Sequence, residues 1–175
     1  ELVGRVAEFG RDVRNLRIGQ RVVVDINIGC GTCFWCRRNE ILSCPEMAQI
    51  GISRDGAFAE YLAAPARLAI PVPGDGDAGV LALTEPVACV IRAAKKARVR
   101  LGQSVVILGA GPIGNLHVQM MRLLGAAPII VSDLSADRCR MALEAGADVA
   151  VSDSAHLQDA VMAHTGGRGA DVVIE

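Results

Sequence analysis

The sequence predicts a β-rich lobe over residues 1–82 followed by a parallel, doubly wound α/β sheet over 83–175. Three observations carry that expectation. The first 73 or so residues hold short apolar segments of strand period separated by glycine turns. From Thr84 onward, strand-length apolar runs alternate with helix-period segments. Hydrophobic residues make up 51 % of the chain but aromatic residues 3 %, so Ala, Val, Ile and Gly carry the packing, as suits strands covered by helices.

In the first half, Leu2–Ala7, Arg21–Asp25, Phe58–Ala63 and Arg67–Val72 read as strands, with turns at Gly4, Gly10, Gly19, Gly29 and Gly51. They predict a small β barrel or sandwich from which a cysteine-bearing loop projects. Pro71, Pro73, Gly74 and Gly76, with Asp75 and Asp77, form a turn-rich connection. Glu85–Arg98 then reads as helix, with Val87, Val90, Ile91 and Ala94 at helix spacing. A strand over Ser104–Gly109, a helix over Pro112–Leu124 and a strand over Pro128–Asp133 follow. The next helix, Ala136–Ala145, has Ser135 placed as N-cap. Asp148–Val151, His156–His164 and Asp171–Glu175 continue the alternation. The chain starts inside a strand-like pattern without an initiator Met and stops on a strand, so it is expected to be a piece of a longer chain.

Cys30, Cys33, Cys36 and Cys44 occur as C-G-T-C-F-W-C and a later C-P. At this spacing four thiolates can surround one tetrahedral zinc ion and close its coordination, which pins the lobe over 29–45 and leaves no position for substrate. Disulfides fit poorly, because no secretory signal is legible and the C-x-x-C thiols are awkward to pair. Two alternatives stay open at this point. In an iron–sulfur run the fourth cysteine would follow after three residues, not seven. A nucleic-acid knuckle would use Arg37 and Arg38, which more simply offset the thiolate charge.

Net charge −1 and a pI near 6.4 give no electrostatic case for nucleic acid or an anionic membrane, and no apolar run reaches membrane length. Six cysteines without a secretory signal predict a reducing, cytoplasmic setting.

The run Ser104-Val-Val-Ile-Leu-Gly109-Ala110-Gly111-Pro112-Ile113-Gly114 places G-x-G-x-x-G between an apolar strand and a helix. Gly109 permits the tight turn, Gly111 admits a pyrophosphate close to backbone, and Gly114 lets helix pack on sheet. The helix N-terminus offers unpaired N–H groups to phosphate, and Pro112 suits its first turn. Asp133 ends the next strand nineteen residues past Gly114, where it can accept from adenosine ribose hydroxyls. Leu134 rather than a basic residue follows it, which favours NAD over NADP. Arg138, one helical turn on, tempers that preference.

A four-cysteine lobe before an NAD fingerprint resembles the zinc-dependent medium-chain alcohol and polyol dehydrogenases, over essentially the whole chain. Glu1-x-x-Gly4-x-Val6-x3-Gly10-x2-Val13-x5-Gly19-x-Arg21-Val22 is similar to the pattern that opens G-H-E in that family, with Gln20 where Asp is usual. Asp55-Gly56-Ala57-Phe58-Ala59-Glu60-Tyr61 resembles its G-x-F-A-E-Y segment, and Thr84-Glu85-Pro86 the E-P of sorbitol- and threonine-type members. The resemblance implies a GroES-like lobe followed by an incomplete Rossmann sheet. It makes Cys30, Cys33, Cys36 and Cys44 a structural zinc site and places Glu1 and Glu85 at a catalytic zinc shell. The implied chemistry is metal-assisted hydride transfer from a secondary alcohol or polyol to NAD, in a homo-oligomer. The catalytic Cys and His of that pattern would precede Glu1, so these 175 residues are expected to bind zinc and the adenosine end of NAD without turnover. A noncatalytic nucleotide-binding module and threonine oxidation are the competing expectations.

Cys89 and Cys139 are expected as small buried hydrophobes, and His117, His156 and His164 as structural or surface residues. Arg92, Lys95, Lys96, Arg98 and Arg100 are expected as a solvated face.

Overall fold

Strand-period segments in the first half pair into two small antiparallel sheets rather than one closed barrel. The computed structural model describes residues 1–72 and 76–175, so the turn expected at Pro73, Gly74 and Asp75 lies outside the described residues. These residues form two compact units, Glu1–Glu85 and Pro86–Glu175.

The first unit has five short strands, β1 (Val3–Arg5), β2 (Arg21–Val24), β3 (Asn27–Ile28), β4 (Ala48–Gln49) and β5 (Ala69–Pro71). β2 is central in the sheet β1-β2-β5, and β3 pairs with β4. Val22 and Val23 of the central strand are buried, with Leu16, Ile50 and Leu68. Pro71, which has no N–H to give a ladder, sits on an edge strand. Two short helices complete the unit, α1 (Phe34–Arg37) and α2 (Ala78–Ala82), the latter capped by Asp77, which accepts the Val80 N–H at 3.0 Å.

Three expectations for this half need correction. Gly4, expected at a turn, lies inside β1 opposite Val22, because its backbone has a ladder partner there. Phe58–Ala63 is not a strand: among the described residues no ladder partner meets it, and Phe58 and Tyr61 are fully or largely exposed. A strand period without a neighbour to take its N–H and C=O groups does not make a sheet. Arg67–Val72 begins as a 3-10 turn (Ala66–Leu68) and turns to strand at Ala69.

The second half follows the alternation closely. Helix α3 (Thr84–Ala97) leads into β6 (Val105–Leu108), α4 (Pro112–Leu123), β7 (Ile129–Ser132), α5 (Ala136–Glu144), β8 (Val149–Val151), α6 (Leu157–His164) and β9 (Val172–Ile174). The strands form one parallel sheet in the order β8-β7-β6-β9. Val105, Ile107, Ile129 and Val131 lie at or near zero exposure, packed with Val118 and Met121 of α4 and Ala142 of α5. Burial on both faces explains why β6 and β7 read as unbroken apolar runs instead of alternating ones.

The tetrapeptide Gly-Ala-Asp-Val precedes both outer strands, at 146–149 and 169–172. Each aspartate ties its strand to the next: Ile129 N–H donates to Asp148 Oδ2 at 2.7 Å, and Ser104 N–H to Asp171 Oδ2 at 2.8 Å. α3 buries Pro86, Val90 and Ala94. Cys89 lies off that stripe and is exposed, contrary to the expected burial, whereas Cys139 is buried. The basic residues on and after α3 are all exposed.

A thiol quartet and a glycine bend

Each cysteine is placed by a short local element. Cys30 follows β3, Cys33 is the N-cap of α1, Cys36 lies within α1, and Cys44 ends the 3-10 turn Ile41–Ser43. Their four sulfurs all lie within 4.8 Å of one another, with Cys30 Sγ 4.0 Å from Cys36 Sγ. Backbone donors already face them: Cys33 N–H to Cys30 Sγ at 3.4 Å, Cys36 N–H to Cys33 Sγ at 3.4 Å, and Cys30 N–H to Cys44 Sγ at 3.5 Å. Gly29 is required by close approach, since a Cβ there would meet Cys36 Sγ at 2.8 Å and Ile41 Cγ2 at 2.9 Å.

The N–H and then the hydroxyl of Thr32, with the Cys33 N–H, draw the Cys30 thiol down to about 6. Gly31 N–H pulls Cys36 the same way, but desolvation and the facing thiols of Cys33, Cys44 and Cys30 outweigh it and push Cys36 up to about 12. Sulfurs this close cannot all be anionic unless a cation sits among them. The quartet therefore fits a thiolate-bound ion, by donor type, number and spacing. Arg38, expected to offset the thiolate charge, makes two nearby contacts. Its guanidinium lies 5.1 Å above the Phe34 ring and 3.6 Å from Glu40.

The glycine bend joins β6 to α4. Gly109 has φ 100°, a conformation that side chains other than glycine rarely adopt. A Cβ on Gly114 would lie 1.9 Å from the Gly109 carbonyl oxygen, so the third glycine is fixed by backbone contact. A Cβ on Gly111 would meet nothing within 4 Å, which leaves open space beside the helix start. Gly111 is the N-cap and has no side chain to cap with, and Pro112 follows at the first position. Among the described residues, the N–H groups of Gly111, Ile113 and Gly114 donate to no protein acceptor. Unpaired N–H groups at a helix N-terminus are an anion site.

Asp133 follows β7 with its side chain 9 % exposed. Its Oδ2 accepts the Ala110 N–H at 2.8 Å and its Oδ1 the Ser135 N–H at 2.8 Å, while Arg138 Nη1 stands 3.7 Å from Oδ2. The Ser135 N–H, then the Ala110 N–H and Arg138, hold this carboxyl below the usual range. Asp133 thus braces the bend, a role that spacing alone did not reveal. Ser135 caps α5 as expected, accepting the Arg138 N–H at 3.4 Å.

Glu1 is exposed ahead of β1, and Glu85 is half-buried in the first turn of α3. Among the described residues, the four cysteines are the one group of three or more metal-ligating side chains close enough to share an ion. Glu1 and Glu85 join no such group. His117 is buried, and His156 and His164 lie at the surface, bonded to Asp153 and to the Ala160 carbonyl.

Residues 1–74 match the alcohol dehydrogenase GroES-like domain, and residues 112–175 match the zinc-binding dehydrogenase domain. This chain belongs to the zinc-dependent medium-chain dehydrogenases. It is 37 % identical over 175 residues to an L-threonine 3-dehydrogenase of Xanthomonas axonopodis pv. citri, covering 100 % of this chain and 51 % of that relative. A Sinorhizobium meliloti 1021 structure, assigned as a zinc-binding dehydrogenase and bound to NADP, is 39 % identical with TM-score 0.88, over 98 % of this chain and 51 % of that one. Escherichia coli galactitol-1-phosphate dehydrogenase is 28 % identical with TM-score 0.84, over 92 % and 46 %. The chain spans about half the length of the curated relatives it matches. Its fold is that of the family: a GroES-like lobe and part of a Rossmann sheet.

Proposed function

We propose that this medium-chain dehydrogenase chain serves zinc-dependent, NAD-linked oxidation of the CH–OH group of a secondary alcohol or polyol. The observation that carries the reading is the glycine bend: three unpaired N–H groups at the start of α4 beside the open side of Gly111. Gly109, Gly111, Pro112, Ile113 and Gly114 hold the pyrophosphate. Asp133 uses its remaining lone pairs for the adenosine ribose hydroxyls, with Arg138 alongside. Cys30, Cys33, Cys36 and Cys44 hold a zinc ion that keeps the lobe folded.

A catalytic zinc supplies Lewis acidity that lowers the pKa of an alcohol hydroxyl, and nicotinamide supplies the hydride acceptor. Glu85, at the start of α3, and Glu1 are assigned to the shell of that metal on the family pattern. Residues 1–82 are assigned to the GroES-like domain and 83–175 to the nucleotide-binding domain, and the protein to the cytoplasm as a homo-oligomer.

Titration of the chain with NAD tests the reading. Saturable binding that is lost in Gly111→Asp supports it, and no binding by the unmodified chain refutes it. The L-threonine 3-dehydrogenase relatives favour a second substrate, the C3 hydroxyl of threonine, itself a secondary alcohol. Comparing L-threonine with sorbitol as substrates of the full-length enzyme separates the two. Dinucleotide binding with neither oxidised would point to a noncatalytic module.

A further inference from the structure

The residue after the third glycine is polar and partly buried. Asn115 sits on α4 one position past Gly114, and its side chain turns back toward the bend. Nδ2 donates to the Ala110 carbonyl at 2.8 Å and to the Gly111 carbonyl at 3.3 Å. The two acceptors fix the orientation of the amide, because the flipped form would set Oδ1 against two carbonyl oxygens. Oδ1 itself is buried and has no partner. A buried acceptor without a donor is unfavourable, so packing alone would favour an apolar side chain here.

The benefit lies at the bend. Ala110, 1 % exposed, is gripped from both sides: its N–H by Asp133 and its C=O by Asn115. Gly111 O accepts both the Asn115 N–H at 2.9 Å and the Asn115 amide. The Ala110 carbonyl that Asn115 holds belongs to the Ala110–Gly111 peptide, which carries the Gly111 N–H; the Gly111 carbonyl belongs to the Gly111–Pro112 peptide, which has no N–H. We propose that Asn115 is a positioning residue for the diphosphate of the dinucleotide, holding the Ala110–Gly111 peptide plane so that the Gly111 N–H points at a phosphate oxygen.

This inference rests on the dinucleotide reading of the bend. Its test measures binding of ADP-ribose and of adenosine by the full chain and by Asn115→Leu and Asn115→Ala, with thermal unfolding recorded for each. Two variants are used because the larger side chain can disturb the fold, whereas alanine removes the amide without added bulk. The proposal predicts a roughly tenfold loss of ADP-ribose affinity, the equivalent of one hydrogen bond, with adenosine affinity unchanged in a folded variant. Unchanged ADP-ribose affinity in either folded variant overturns the role of Asn115 while leaving the dinucleotide reading intact. Equal losses for both ligands also overturn it, since they mark a general structural effect. Failure of the unmodified chain to bind ADP-ribose overturns both readings at once.

Discussion

Asp133 Oδ2 accepts the Ala110 N–H at 2.8 Å, joining the end of one strand to the glycine bend that leaves its neighbour. The carboxylate thus braces the bend that is proposed to take the diphosphate, and it is also the group proposed to meet the ribose hydroxyls. Asp133→Ala leaves the Ala110 and Ser135 N–H groups without acceptors, and a charged hydrogen bond is worth about 1.5–3 kcal/mol. The variant is expected to lose about 2–4 kcal/mol of stability in urea unfolding and to bind NAD at least tenfold more weakly. Because the folded carboxyl titrates below its ordinary value of 3.8, its contribution is full above that pH and is lost as pH falls through the folded pKa.

Arg138 is proposed to weigh on the choice between NAD and NADP. Its guanidinium, 58 % exposed, offsets the Asp133 charge from 3.7 Å. Arg138→Ala removes that offset, so NADP affinity is expected to fall by about tenfold more than NAD affinity. Paired titrations with the two dinucleotides check this; an unchanged ratio would remove Arg138 from cofactor selection.

Gly114 leaves no room for a methyl group. A Cβ there meets the Gly109 carbonyl oxygen at 1.9 Å, and the obstacle is backbone, which cannot swing aside as a side chain does. Gly114→Ala is expected to cost about 3 kcal/mol or more and to abolish NAD binding, read by unfolding and by titration. Gly111→Ala meets open space instead, so its stability should stay within about 0.5 kcal/mol while phosphate contact is lost.

Much of this was legible in the sequence where local chemistry and final structure coincide. The strands and helices after Thr84 emerge within one or two residues of expectation, because β6 and β7 are buried on both faces and Ser135 caps its helix as its residue type predicts. The quartet converges because its spacing lies within one loop. What failed depends on partners distant in sequence. Phe58–Ala63 has the strand period but no neighbouring strand, and period does not report neighbours. The bracing of Ala110 by Asp133 and Asn115 was also hidden, since a carboxylate or amide shows its residue type but not the N–H or C=O that it reaches.

His117 is a pH probe of the second unit. It is 7 % exposed with Nδ1 unpartnered, and burial lowers its pKa from 6.5. The folded form therefore resists a proton that the unfolded chain accepts. Stability from this group is full above about pH 6.5 and declines as pH falls toward the lower folded value. In His117→Leu the loss of stability between pH 7 and 5 should be smaller than in the parent chain, as measured by urea midpoints. Parallel curves would show that His117 is neutral in both states or charged in both.

Enclosure of one cation by the sulfurs of Cys30, Cys33, Cys36 and Cys44 is tested most directly by X-ray absorption at the zinc edge of the purified chain. The expected result is one zinc per chain with a shell of four sulfurs at about 2.3 Å, lost in Cys44→Ser. A shell of mixed nitrogen and oxygen ligands, or iron in place of zinc, would contradict it.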